Sequence, residues 1–115
     1  MDRVQQIRAL LAGENILVKI KKAGSEWHNG LFLKRGKYLP EYKFIWRDNG
    51  NIGTATVLES DRQFQIKQNT KTGLLHVIYQ IAYNEFILRP DDPDFSALND
   101  LLNNYDITSY SLSCI

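Results

Sequence analysis

Between Lys34 and Arg47 the chain interleaves cations with flat rings. Lys34, Arg35, Lys37 and Tyr38 fall in a loop-like stretch with Gly36 and Pro40, and Tyr42, Lys43, Phe44, Trp46 and Arg47 follow. The chemistry these residue types offer is recognition of a polyanion: Lys and Arg neutralise phosphates, and an exposed ring gives a base a face to stack on. Strand parity narrows the set. Side chains alternate across a strand, so Tyr42, Phe44 and Trp46 share one face while Lys43 and Arg47 share the other. The three rings are therefore assigned to the core. The residues left as a candidate nucleic-acid interface are Lys19, Lys21, Lys34, Arg35, Lys37, Tyr38, Lys43 and Arg47.

No other chemistry is spelled out. His28 and His76 fall on different strand-like segments without Cys partners or metal-ligand spacing, and a metal needs three or four converging ligands. The acids of Arg89-Pro90-Asp91-Asp92-Pro93-Asp94 lack the alternation, central glycine and later glutamate of a calcium loop. Gly50 and Gly53 belong to a hairpin rather than to a phosphate cradle. Glu26, Glu41, Glu59 and Glu85 read as strand-surface acids, with nothing to single out a catalytic pair. The expectation is a binding protein with no catalytic residue, no metal and no cofactor.

Charge is unevenly spread although the net charge is only +1. From Asn15 to Arg47 eight Lys/Arg stand against Glu26 and Glu41, a local balance of +6. From Glu85 to Asp106 six acids stand against Arg89, a balance of −5. Such polarity steers an anionic partner to one end of the molecule. It equally suits two faces that attract each other within the fold, a protein-interaction adaptor or a small homo-oligomer with complementary faces. A nucleic acid and a protein partner thus both remain open.

The elements that must position these residues are short. With 115 residues, 43% of them hydrophobic, the chain has the size and balance of one globular domain spanning 1–115. Asp2 to Ala12 has helical spacing (Val4, Ile7, Leu10, Leu11), with Gly13 placed to end the helix. The period then changes to two. Strands are expected in 14–22, 26–34, 41–47, 52–59 and 62–68, and a long β-rich run from Leu74 to Leu88 must bend or bulge. Asp48-Asn49-Gly50 is the strongest hairpin signal. Gly30 inside its strand marks a bulge or a close backbone approach. Near the end, Asp92 suits an N-cap, with Pro93 at N1 and Phe95, Leu98, Leu101, Leu102 and Tyr105 as the apolar side of a second helix. The closing Ile107–Ile115 reads as an edge strand or a loose tail. The fold class expected is α+β, mainly antiparallel β: a curved sheet or small barrel with a short helix near each end. No run approaches the ~20 apolar residues of a membrane span, no secretory leader is read at the N-terminus, and Cys114 is the only cysteine. A cytoplasmic protein without membrane contact is expected.

Gly13-Glu14-Asn15-Ile16-Leu17-Val18, following a short helix, resembles the Gly-acid-x-aliphatic-x-Val strand opening of PUA-like domains. In length and helix-then-barrel order the chain is also similar to PrgU-type proteins, small PUA-like regulators of pheromone-responsive conjugative plasmids. The resemblance implies a pseudobarrel and a cytoplasmic regulator that binds RNA and limits expression of conjugation genes. It transfers no individual contact residue.

Overall fold

The computed structural model describes residues 2–105. The expected edge strand or tail at 107–115 lies outside them. In chain order the elements are α1 (Arg3–Leu10), β1 (Ile16–Lys22), β2 (His28–Arg35), β3 (Glu41–Asp48), β4 (Asn51–Leu58), β5 (Gln65–Gln68), β6 (Leu75–Tyr79), β7 (Ala82–Leu88) and α2 (Phe95–Asn104). The strands form one seven-stranded sheet in the order β5-β6-β1-β2-β3-β4-β7. All pairs are antiparallel except β1 with β6, which run parallel. The sheet is thus mainly antiparallel, as expected, with one parallel pair that the sequence does not announce. The cause is a crossover: after β4 the chain passes beneath α1 to the far edge, makes the β5–β6 hairpin, and so reaches β1 from the same end.

Among the described residues β5 and β7 are each paired on one side only, so the sheet they form is not closed. It is nonetheless strongly curved. Laid flat, β6 and β7 would stand roughly 24 Å apart at normal strand spacing. Instead Tyr79 on β6 brings its hydroxyl within 3.5 Å of Glu85 Oε1 on β7, and Lys22 at the end of β1 brings its ammonium within 3.3 Å of Glu85 Oε2. Side chains bridge the seam where backbone does not.

Alternation sorts the apolar residues into two cores. Val18, Ile20, Phe32, Tyr42, Phe44, Trp46, Val57, Val77 and Tyr79 fill the concave face with Phe64, closed by Ile7 and Leu11 of the α1 region. Leu31, Ile45, Ile52 and Leu88 line the convex face, where Phe95, Leu98, Leu101 and Leu102 of α2 cover them. Assignment of Tyr42, Phe44 and Trp46 to the core holds: all three are buried. Their strand, however, has no wet face over its middle, because Ile45 lies under α2.

Local chemistry explains the boundaries. Asp2 caps α1, accepting from Gln5 N at 2.8 Å while Gln5 Oε1 accepts from Asp2 N, a reciprocal capping box. The helix ends at Leu10, two residues before the expected Ala12, and it is Asn15 rather than Gly13 that takes the positive φ, 54°. α2 starts at Phe95, later than the Asp92 cap predicts. Asp92 turns back instead to accept from Arg89 N at 2.7 Å. Asn49 and Gly50 take positive φ values of 51° and 84°, as a tight hairpin between right-twisted strands requires. The Leu74–Leu88 run breaks at Gln80 and Ile81, whose amides both donate to Asp61 Oδ2 from the crossover. Gly30 marks a close approach, not a bulge: a Cβ there would stand 2.6 Å from the carbonyl oxygen of Ile45. The bulge in β2 lies between Phe32 and Lys34.

Candidate nucleic-acid interface

The bulge re-aims the end of β2. Lys34 faces Lys43 on the convex side, while Arg35 faces Tyr42 on the concave side. Arg35 is thereby drawn toward an internal carboxylate: its Nη2 stands 3.9 Å from Glu59 Oε2, and its guanidinium carbon 6.0 Å from the Tyr42 ring centroid. Lys37 and Tyr38 project from the loop together, the ammonium 5.3 Å from a ring that is 85% exposed.

The convex cations do not form one patch. The row Leu17–Leu31–Ile45, in register across β1, β2 and β3, is apolar and packs with α2. Lys34 and Lys43 lie on one side of that row, and Lys19 and Lys21 on the other. Arg47 is engaged by the helix itself, donating to Asn99 Oδ1 at 2.7 Å and to Asn103 Oδ1. Lys19 lies opposite Asn29, six residues from Arg35 along β2, a separation of roughly 20 Å. The eight residues of the sequence-based interface thus divide between two ends of the sheet, with Arg47 beneath α2.

A different grouping appears on the half of the convex face that α2 leaves open. Lys67 on β5 pairs with His76 on β6, and His76 pairs in turn with Lys19 on β1, so the three form one row across three strands. Lys21 lies one step along β1. Its ammonium sits 5.0 Å from the ring centroid of Trp27, which is 41% exposed and whose ring lies 5.3 Å from that of His76. The arrangement joins three lysines and a neutralisable imidazole to an accessible indole. Partial burial, with the nearby Lys19 ammonium adding to it, holds the His76 imidazolium below its ordinary 6.5. His76 is therefore neutral at pH 7 and presents a flat ring rather than a fourth charge.

Trp27 lies just before β2 and is not among the eight residues of the sequence-based interface. Lys67 and His76 escaped because their relation to Lys19 depends on the parallel β6–β1 pairing, between residues more than fifty positions apart.

Two other clusters have structural explanations. Glu59 is buried, against the expectation of a surface acid. Its carboxylate accepts from Arg8 Nε at 3.0 Å, Arg8 Nη2 at 2.7 Å and Tyr42 Oη at 2.6 Å. Arg3 donates to the carbonyls of Glu59, Asp61 and Phe64 at 2.8, 3.2 and 3.0 Å. Together these contacts fasten the crossover to α1. At the seam, a cavity of about 150 Å³ is lined in part by His28, Trp46, Tyr79 and Glu85. Burial, then the neighbouring Glu85 carboxylate, pushes the Tyr79 phenol well above its ordinary value, so it remains a donor that closes the seam. Among the described residues no group of three or more His, Cys, Asp or Glu is placed to hold a metal, and no helix is long and apolar enough to cross a membrane.

No protein-family model matches the chain, and no curated protein or solved structure is significantly similar to it.

Proposed function

We propose that the protein binds nucleic acid, RNA foremost, through the open convex face of β5, β6 and β1, and that it acts by binding rather than by catalysis. The observation that carries this reading is the Lys67–His76–Lys19 row with Lys21 and the exposed Trp27 beside it. Cations there neutralise phosphates while the indole accepts a base, and sequence-tolerant stacking of this kind favours single strands. The loop of Lys37 and Tyr38 supplies a second contact for a longer strand. Lys34 and Lys43 add charge on the far side of α2, whereas Arg35 and Arg47 serve the fold.

In this reading the protein is a cytoplasmic regulator acting on transcripts, of the PUA-like, PrgU-type kind that the Gly13–Val18 strand opening and the helix-first order support. Trp27 gives a direct test. Of the two tryptophans, Trp46 is buried and Trp27 is not, so a stacked base quenches mainly Trp27 emission. Titration with a short single-stranded RNA should quench the intrinsic fluorescence, and Trp27→Ala should weaken binding by about 1–3 kcal/mol. Unchanged affinity in Trp27→Ala overturns the stacking role, and absence of binding by the wild type at low salt overturns the function.

A further inference from the structure

The two edges of the sheet are finished differently. β5 has four residues, carries the exposed Lys67, and packs near α1, so it offers little for another strand to pair with. β7 has seven residues, Ala82–Leu88, with no Lys, Arg or Pro among them, and among the described residues it is paired with β4 alone. From Asn84 to Leu88 its register with β4 is regular. Of the eight large hydrophobic side chains that are exposed among the described residues, four belong to this short region: Ile81, Tyr83, Phe86 and Ile87. A regular edge with unpaired amides and carbonyls, flanked by apolar side chains on both faces, is a template for strand addition.

We infer that this edge is covered by a second copy of the same chain, β7 pairing antiparallel with β7 about a two-fold axis. Charge on the strand favours a copy of itself. Glu85 on β7 and Arg89, the first residue past its end, lie four residues apart, both exposed and opposite in sign, although Glu85 also meets Lys22 of its own chain at 3.3 Å. An antiparallel two-fold that sets Ile87 against Ile87 of the second copy places each Glu85 opposite the other chain's Arg89, forming two symmetric ion pairs around an apolar centre. Phe86 then meets Leu88 of the second copy on the other face. The inference is independent of the RNA-binding reading, since none of its residues belongs to the Lys67–His76–Lys19 face.

The test is the mass of the full chain by sedimentation or light scattering at concentrations of about 100 µM, well above a micromolar dissociation constant. Twice the chain mass is expected, and Ile87→Lys and Phe86→Lys, both at exposed positions, should each return the protein to a monomer with its circular dichroism unchanged. Arg89→Glu should weaken the dimer about tenfold by setting a like charge against each Glu85, at two symmetric positions. Amide hydrogen exchange on the unmodified chain provides a readout that needs no variant: β7 amides should slow as concentration rises. A full chain that is monomeric at this concentration overturns the inference. So does a dimer that both lysine variants leave intact, or one in which β7 exchange does not respond to concentration.

Discussion

The hydroxyl of Tyr42 donates a 2.6 Å hydrogen bond to Glu59 Oε2, tying the centre of the concave core to the segment that carries the chain from one half of the sheet to the other. Arg8 holds the same carboxylate through two nitrogens, so strand, crossover and N-terminal helix meet at one buried acid. This junction fixes where β5 and β6 arrive, and hence the row that sets Lys67 and His76 beside Lys19. Tyr42→Phe should remove one hydrogen bond to a charged acceptor and lower stability by about 1.5–3 kcal/mol. Urea denaturation of the two proteins, with the slope unchanged and the midpoint lowered, checks it.

The same junction sets a pH window. The hydrogen bonds from Arg8, more than any other contact, hold the Glu59 carboxyl below its ordinary 4.5, with Tyr42 and the charges of Arg8 and Arg35 assisting and burial opposing. The unfolded chain takes up this proton more readily than the folded one, so the contribution is complete above pH 4.5 and is lost as pH falls from there through the lower folded-state value. Tyr42 behaves in the opposite sense. Burial, then the hydrogen bond and charge of Glu59, raise its phenol to about 12, so its contribution is complete below pH 10 and is lost between 10 and about 12. Thermal midpoints across pH should fall at both ends, and Glu59→Gln should flatten the acid limb.

Gly53 lies against the indole of Trp46, and a Cβ there would overlap the ring. Gly53→Ala should cost about 1–3 kcal/mol by overpacking. At Gly13 the nearest atom to an added Cβ is Ile16 Cδ1 at 3.7 Å and the φ is not positive, so Gly13→Ala should be close to neutral. Thermal unfolding of the pair separates steric cost from a general effect of replacing glycine.

Much of the architecture is legible in local pattern because it is local in origin. The Asp2 cap, the Asn49-Gly50 hairpin and the burial of Tyr42, Phe44 and Trp46 depend on a few neighbouring residues. The candidate interface is less legible. The bulge after Phe32 shifts parity by one and sends Arg35 to Glu59 instead of outward, and no residue type announces it. Arg47 alternates outward as expected, but α2 arrives from fifty residues downstream and engages it. The parallel pairing of β6 with β1 depends on a crossover held by Arg3, Arg8 and Glu59, whose partners are distant in sequence. Alternation tells which face a side chain takes, not what covers that face.

His76 offers a test of the proposed binding face. In the free protein its imidazole titrates below 6.5, chiefly because of burial and secondarily because of Lys19. A phosphate brought beside Lys19 and His76 favours the imidazolium, so the complex takes up a proton and its affinity should rise as pH falls through the bound-state value and level off below the free-state one. NMR titration of His76 with and without a short RNA checks the sign. An upward displacement on binding is expected, while His76→Phe, which keeps a flat ring, should abolish the pH dependence and retain binding.

The central claim is tested most directly by the salt dependence of RNA affinity. A filter-binding titration of the wild type and of the Lys19→Ala, Lys21→Ala, Lys67→Ala triple variant, each at several salt concentrations, measures how many phosphates the open face neutralises. For a single strand the log–log slope should be shallower by about 2 in the triple variant, at roughly 0.7 per phosphate contact, with affinity reduced at every salt concentration. Equal slopes and equal affinities in the two proteins, or no affinity in either at low salt, would contradict it.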